Sequence, residues 1–258
     1  MSSDTAGRVP DHLTLDNGLR VAYHAVGGRK PTVIFLGGFK SDMSGTKASS
    51  LDRWARSEGW AYLRFDYTGH GASDGEFLDG TIGGWTAEAL AVVDRLTEGP
   101  VILVGSSMGG WIAVLVALER SDRVAGLVGV AAAPDFTEDL IWTRLDVASR
   151  AQVMREGRLV EPSPYGDEPY VYTRELIEDG RGYLVLGGPI ALGIPVRLLH
   201  GMADLDVPWT QSRRLLDRIE SDDASLTLIK DGDHRLSAPQ HLEMLRAEVG
   251  RLHDRLGA

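Results

Sequence analysis

The residues best suited to chemistry are Ser107, His234 and an aspartate lying between them in chain order. A serine hydroxyl is a poor nucleophile until a base takes its proton, and that base needs an acid to fix its tautomer. Ser107 sits in Gly105-Ser106-Ser107-Met108-Gly109, after the apolar run Val101-Ile102-Leu103-Val104 and before Ile112-Ala113-Val114-Leu115-Val116-Ala117-Leu118. Strand, Gly-x-Ser-x-Gly and helix in that order make a nucleophile elbow, whose strained turn lifts the hydroxyl out at the end of a strand. A second match, Gly71-Ala72-Ser73-Asp74-Gly75, stands several residues past its strand and opens no apolar helix. It reads as an ordinary Gly/Ser/Asp loop.

With this elbow, the acid and then the histidine follow the serine in the chain. The run Val196-Arg197-Leu198-Leu199 leads into His200-Gly201-Met202-Ala203-Asp204-Leu205-Asp206, and Leu226-Thr227-Leu228-Ile229 leads into Lys230-Asp231-Gly232-Asp233-His234. Asp204 is the preferred acid, with Asp206 and Asp135 as rivals, and His234 is the base. Of the other six histidines, His12 and His24 fall in a hairpin, His70 in a Gly-rich turn, and His241 and His253 in the last helix. His200 precedes the acid and is expected to order its turn. Two backbone N–H groups should hold the developing oxyanion: that of Met108, after the serine, and that of Phe39, in the Gly37-Gly38-Phe39 turn.

The elements that must position these groups are legible as hydrophobic patterns. Alternation on both sides of Asn17-Gly18 predicts an opening hairpin. Buried strands are expected at 32–36, 61–65, 101–104, 124–130, 196–199 and 226–229. Helices are expected through 48–59, 81–96, 112–118, 210–220 and 239–256. Strands alternating with helices predict an α/β fold with a mostly parallel, twisted sheet and helices on both faces. Ligands of such sheets bind beyond the carboxyl ends of the strands, where Ser107, Asp204 and His234 all fall.

Residues 134–192 break the alternation. They carry Pro162, Pro164, Pro169 and Pro189 with Trp142, Tyr165, Tyr170, Tyr172 and Tyr183. An insertion this long between two strands is usually functional. The expected division is therefore core at 10–133, a small cap at 134–192 and core again at 193–258.

Composition narrows the classes. At 258 residues, with 43% apolar and 25% charged content, the chain has the make-up of a globular protein. The net charge of −10 (27 basic against 37 acidic residues) disfavours nucleic acid and anionic lipid as partners. No apolar run reaches the ~18 residues of a bilayer span, and residues 1–8 contain no hydrophobic secretory segment. Zero cysteines remove disulfides, thiolate metal sites and a cysteine nucleophile. The expectation is a cytoplasmic, cofactor-free protein without a metal; the oligomeric state stays open.

The elbow, the Gly37-Gly38-Phe39 turn, Asp66-Tyr67-Thr68-Gly69-His70-Gly71-Ala72-Ser73 and His200-Gly201-Met202-Ala203-Asp204 resemble the α/β-hydrolase superfamily. Gly45-Thr46-Lys47-Ala48, Arg64-Phe65-Asp66-Tyr67, Arg197-Leu198-Leu199-His200-Gly201-Met202 and Val207-Pro208-Trp209 are similar, more closely, to its palmitoyl-protein thioesterase and acyl-glucuronide esterase branch. The resemblance runs from residue 32 to residue 256 and is weakest across 134–192. It implies a serine ester or thioester hydrolase with triad Ser107, Asp204 and His234, acting on a small-molecule or acyl-protein substrate. The lack of a targeting presequence makes the expected protein a bacterial relative. A peptidase or a peroxyacid-forming enzyme would use the same triad, and a non-catalytic ligand receptor would keep the fold. A nucleotide-binding reading fails because Gly105-Ser106-Ser107 lacks the second glycine of Gly-x-Gly-x-x-Gly.

Overall fold

A computed structural model describes residues 9–161 and 169–257. Pro162, Pro164, Tyr165 and the first eight residues lie outside the described residues. The opening hairpin forms around Asn17-Gly18, with β1 (Asp11–Thr14) antiparallel to β2 (Arg20–Val26) and Asp11 opposite Tyr23. Strands and helices then alternate through β3 (Arg29–Leu36), α1 (Thr46–Glu58), β4 (Trp60–Phe65), α2 (Ile82–Leu96), β5 (Val101–Ser106), α3 (Met108–Glu119) and β6 (Val124–Val130). Residues 134–192 follow as an excursion. It holds a π-helical turn (Thr137–Ile141), α4 (Val147–Glu156), the antiparallel pair β7 (Arg158–Glu161) and β8 (Tyr170–Thr173), and α5 (Arg174–Gly180). The alternation resumes with β9 (Val196–Gly201), α6 (Trp209–Arg218), β10 (Ala224–Ile229) and α7 (Pro239–Leu256).

Eight strands form one sheet in the order β1-β2-β4-β3-β5-β6-β9-β10, parallel from β4 to β10. The central strands are buried on both faces, which is why they read as continuous apolar runs. Alternate side chains feed two cores. Ile34, Leu36, Leu63 and Leu103 pack with α2 and α3; Val33, Phe35, Tyr62, Ile102 and Val104 pack with α1 and α7. The expected mostly parallel α/β architecture with helices on both faces is therefore the observed one.

Local signals explain the helix limits. Thr81 caps α2 by accepting the Gly84 N–H at 3.0 Å. Gly59 ends α1 in the left-handed conformation at φ 69°. One expected boundary is corrected: α6 stops at Arg218 rather than running to Glu220, because Ile219 leaves the helix to pair with Ile190 in a parallel bridge.

The strand order places the site. From β3 the chain crosses to β4 on one side, and from β5 it crosses to β6 on the other. The loops leaving these two adjacent strands diverge and open a crevice at their carboxyl ends.

Candidate active site

Ser107 stands in that crevice. Its backbone is at φ 54° and ψ −119°, a conformation that costs a non-glycine residue roughly 1–3 kcal/mol. The surroundings impose it: the Ser107 N–H donates to the Val130 carbonyl at 2.9 Å, and the Ser107 carbonyl accepts from Gly110 at 2.9 Å and Ala133 at 3.1 Å. The turn also needs Gly109, where a Cβ would lie 2.2 Å from the Leu36 carbonyl oxygen and 2.5 Å from that of Gly37. The motif's glycine thus lets α3 rest directly on the backbone leaving β3.

The structure brings Ser107, His234 and Asp204 together. His234 Nε2 lies 3.1 Å from Ser107 Oγ, and His234 Nδ1 lies 2.7 Å from Asp204 Oδ2. A carboxylate opposite Nδ1 fixes the proton on that nitrogen and leaves Nε2 as the acceptor facing the serine. The loops carrying acid and base touch: a Cβ on Gly201 would meet the Gly232 carbonyl oxygen at 2.1 Å, and the Ala203 N–H donates to that carbonyl at 3.0 Å.

Asp204 is the best-satisfied carboxylate of the three aspartate candidates. Oδ1 accepts the Asp206 and Val207 N–H groups at 2.9 Å each, and Oδ2 receives His234 and His200. Burial opposes its ionisation, but the hydrogen bonds from His200 and His234, the histidine charge and the Val207 amide outweigh it. Together they hold the carboxyl well below the usual range. His200 is fully buried and orders the turn as expected. Its Nε2 faces Asp204 Oδ2 at 3.1 Å and the Val207 carbonyl at 2.9 Å, so that nitrogen carries the proton; Nδ1 takes the Ser212 hydroxyl at 2.6 Å.

Of the rival acids, Asp135 is placed elsewhere and Asp206 stays close to the site. Asp135 accepts the Val185 and Leu186 N–H groups at 2.8 and 2.9 Å, clasping one end of the excursion to the other. Burial pushes its carboxyl up, with those two amides working against the rise. Asp206 bonds Asp204 through its backbone, and its side chain lies at the mouth of a pocket beside Ser107. Asp204, Asp206 and His234 bring one ligand atom each within 4.8 Å of one another. Two of those groups already bond each other, so the trio offers little to a cation.

The other sequence candidates also find their places. Ser73 is structural: its hydroxyl donates to the Asp66 carbonyl at 2.6 Å and accepts the Ala22 N–H at 2.8 Å. His70 Nδ1 pairs with the Thr68 carbonyl at 3.2 Å, and His253 stacks on Trp60 with centroids 3.8 Å apart. The N–H of Met108 is among the first amides of α3, which have no acceptor within the helix. Gly38, just before Phe39, lies against the elbow, where a Cβ would sit 3.3 Å from Ser107 Cβ.

Two unlike pockets meet at Ser107. One, of about 210 Å³, is walled by Phe136, Leu140, Ile141, Tyr172 and Val207, with Arg144, Glu161 and Asp206 at its rim. The other, of about 550 Å³, runs over the start of α1 and is lined by Lys40, Asp42, Lys47, Tyr170 and Arg235. The Phe39 ring separates them, stacked on Tyr172 at 5.8 Å and edge-on to Phe136 at 5.9 Å. Of the excursion's aromatic residues, Phe136, Tyr170 and Tyr172 line these pockets. Trp142 is instead held between Arg150 and Arg181, and the Tyr183 carbonyl accepts the Trp111 indole N–H at 3.1 Å.

Sequence reasoning missed Lys47 as a site residue. Its ammonium reaches the Arg235 carbonyl at 2.5 Å across 188 residues of chain. The only hint was its place in Gly45-Thr46-Lys47-Ala48, one of the short runs carrying the resemblance.

The palmitoyl-protein thioesterase ABHD10 of mouse mitochondria is 38% identical over 237 residues, covering 92% of this chain and 80% of that protein. The human protein of the same name is 38% identical over an equal length. Among solved structures, a candidate hydrolase from Agrobacterium vitis S4 superposes with a TM-score of 0.90 at 43% identity, covering 95% of this chain and all of that one. Mouse alpha/beta hydrolase domain-containing protein 10 also gives a TM-score of 0.90, at 35% identity, covering 96% of this chain and all of that one. The alpha/beta hydrolase family model matches residues 33–248, and the chain belongs to that family.

Proposed function

We propose that the protein hydrolyses carboxylic esters or thioesters through an acyl-enzyme on Ser107. The observation that carries this reading is the continuous hydrogen-bonded chain from Ser107 Oγ through His234 to Asp204. It is supported by the likeness to the mitochondrial thioesterases, from which the acyl-transfer chemistry is carried over. His234 Nε2 takes the hydroxyl proton as Ser107 Oγ attacks the acyl carbonyl carbon. The Phe39 and Met108 amides receive the charge that develops on the carbonyl oxygen. Collapse of the tetrahedral intermediate breaks the bond to the alcohol or thiol, which leaves with the proton from His234. Water, deprotonated by the same nitrogen, then attacks the acyl-enzyme and returns the serine. Asp204 keeps the imidazole in the required tautomer throughout.

In this reading the excursion, residues 134–192, is a cap on a two-part core. The two pockets that share Ser107 take the acyl group and the leaving group. The test is hydrolysis of p-nitrophenyl esters from acetate to palmitate, with palmitoyl thioesters alongside, comparing wild type with Ser107→Ala. The wild type should turn over and the variant should lose at least about 10⁴-fold in kcat. A folded wild type no faster than the variant on every ester and thioester would refute the reading and move a peptidase or a binding role ahead.

A further inference from the structure

Lys47 is the second residue of α1, at the end of the helix where the backbone dipole is positive and a cation is least welcome. No acidic residue in the first turn offsets it. Its side chain is half-buried, lines the larger pocket beside Ser107, and donates to the Arg235 carbonyl at 2.5 Å. Arg235 directly follows His234. The segment around it is sharply bent: Leu236 has φ 44°, and its N–H is held by Asp233 Oδ1 at 2.9 Å. That segment joins β10 to α7, which packs on the same face of the sheet as α1.

Resting on the hydrolase reading, we infer that Lys47 is the positioning residue for the base. By gripping the carbonyl next to His234, it ties the β10–α7 loop to α1 and sets the distance from Nε2 to Ser107 Oγ. The bond joins the start of the helix after β3 to the loop after β10. Displacing the base by even ~1 Å costs on the order of 100-fold in rate. A lysine so placed serves this geometry at the expense of its own solvation.

The charged environment of Lys47 is mixed. Asp233 and Arg235 come from the base loop, Asp204 from the acid loop, and Lys40 and Asp42 from the β3–α1 turn, with Tyr170 opposite. Burial is the main influence and lowers the ammonium from its usual value to about 8; Asp233 and Asp204 work against that fall and Arg235 with it. A grip that depends on this ammonium should therefore loosen as pH passes 8, where the donor turns from a charged to a neutral amine and its hydrogen bond weakens.

The test is kcat and KM against pH for the wild type, Lys47→Arg, Lys47→Met and Ser107→Ala on one p-nitrophenyl ester, each checked for folding by its melting curve. The expected result is a fall in kcat of about 10- to 100-fold for Lys47→Met with KM within about twofold. Lys47→Arg should recover most of the loss, and the wild-type break in kcat near pH 8 should vanish in Lys47→Met. If Lys47→Met does not fold, Lys47→Gln, which retains a donor, replaces it and is expected to be intermediate. A Lys47→Met enzyme with wild-type kcat and an unchanged pH 8 break overturns the inference alone, provided Ser107→Ala is silent. A loss equal in Lys47→Arg and Lys47→Met overturns it too. Wild type and Ser107→Ala equally inactive would bring down the hydrolase reading, and the positioning role with it.

Discussion

The frame that holds Ser107, Asp204 and His234 and the excursion that faces them are built on opposite principles. In the frame, backbone meets backbone: α3 lies on the chain leaving β3 at Gly109, and the acid loop lies on the base loop at Gly201 and Gly232. Buried and part-buried hydrogen bonds fix the acid and base loops. In the excursion, short elements are held by rings and a few polar clasps, among them the Tyr172 stack on Phe39 and the Asp135 bonds to Val185 and Leu186. Several of its glycines have open space around them, as at Gly182, Gly187 and Gly188. The difference teaches where tolerance lies. The frame gets its precise placement from close-packed main chain, while the excursion rests more on side chains that can be exchanged.

The sharpest way to break that contrast is Asp204→Asn. It keeps the shape of the acid but removes the carboxylate that sets the His234 tautomer, so kcat on p-nitrophenyl esters should fall about 10⁴-fold. A loss under tenfold would show that the frame does not work through this aspartate. Next in size is a paired substitution of glycines. Gly109→Ala should lower stability by about 3 kcal/mol, since the added methyl meets two carbonyl oxygens. Gly182→Ala should stay within ~0.5 kcal/mol. Urea midpoints of the two variants measure the difference directly, and equal midpoints would erase the distinction between the regions. The smallest effect is expected from Tyr172→Ala. It should leave turnover of the acetyl ester within about twofold and lower the preference for longer acyl chains by about 3- to 10-fold. A uniform loss on all chain lengths would place Tyr172 with the frame instead.

The same contrast explains what could be read from the sequence. The frame was legible because its strands are buried on both faces and announce themselves as apolar runs, and because the elbow needs small residues at fixed offsets around Ser107. The order of serine, acid and histidine narrowed the partners, but Asp204 and Asp206 stand two residues apart in one loop, and only the loop's shape separates them. The β7–β8 pair was hidden, since four-residue strands such as Arg158–Glu161 are too short to impose a periodicity. The end of α6 was misjudged because Ile219 fits the helical stripe as well as it fits a bridge to Ile190. Lys47 left no pattern at all: a side chain reaching a main-chain oxygen places no constraint on the partner's residue type.

Residues 134 and beyond leave the sheet after β6 and come back to it at β9, the strand paired with β6, and Asp135 near the departure bonds Val185 and Leu186 ahead of the return. A segment that departs and returns at paired strands is an insertion in one connection, fastened to the frame by bonds such as Trp111 to Tyr183 and Ile219 to Ile190. It can lengthen, shorten or be exchanged for another without asking any strand of the sheet to move. Change within that one connection can thus leave the frame around Ser107 where it stands.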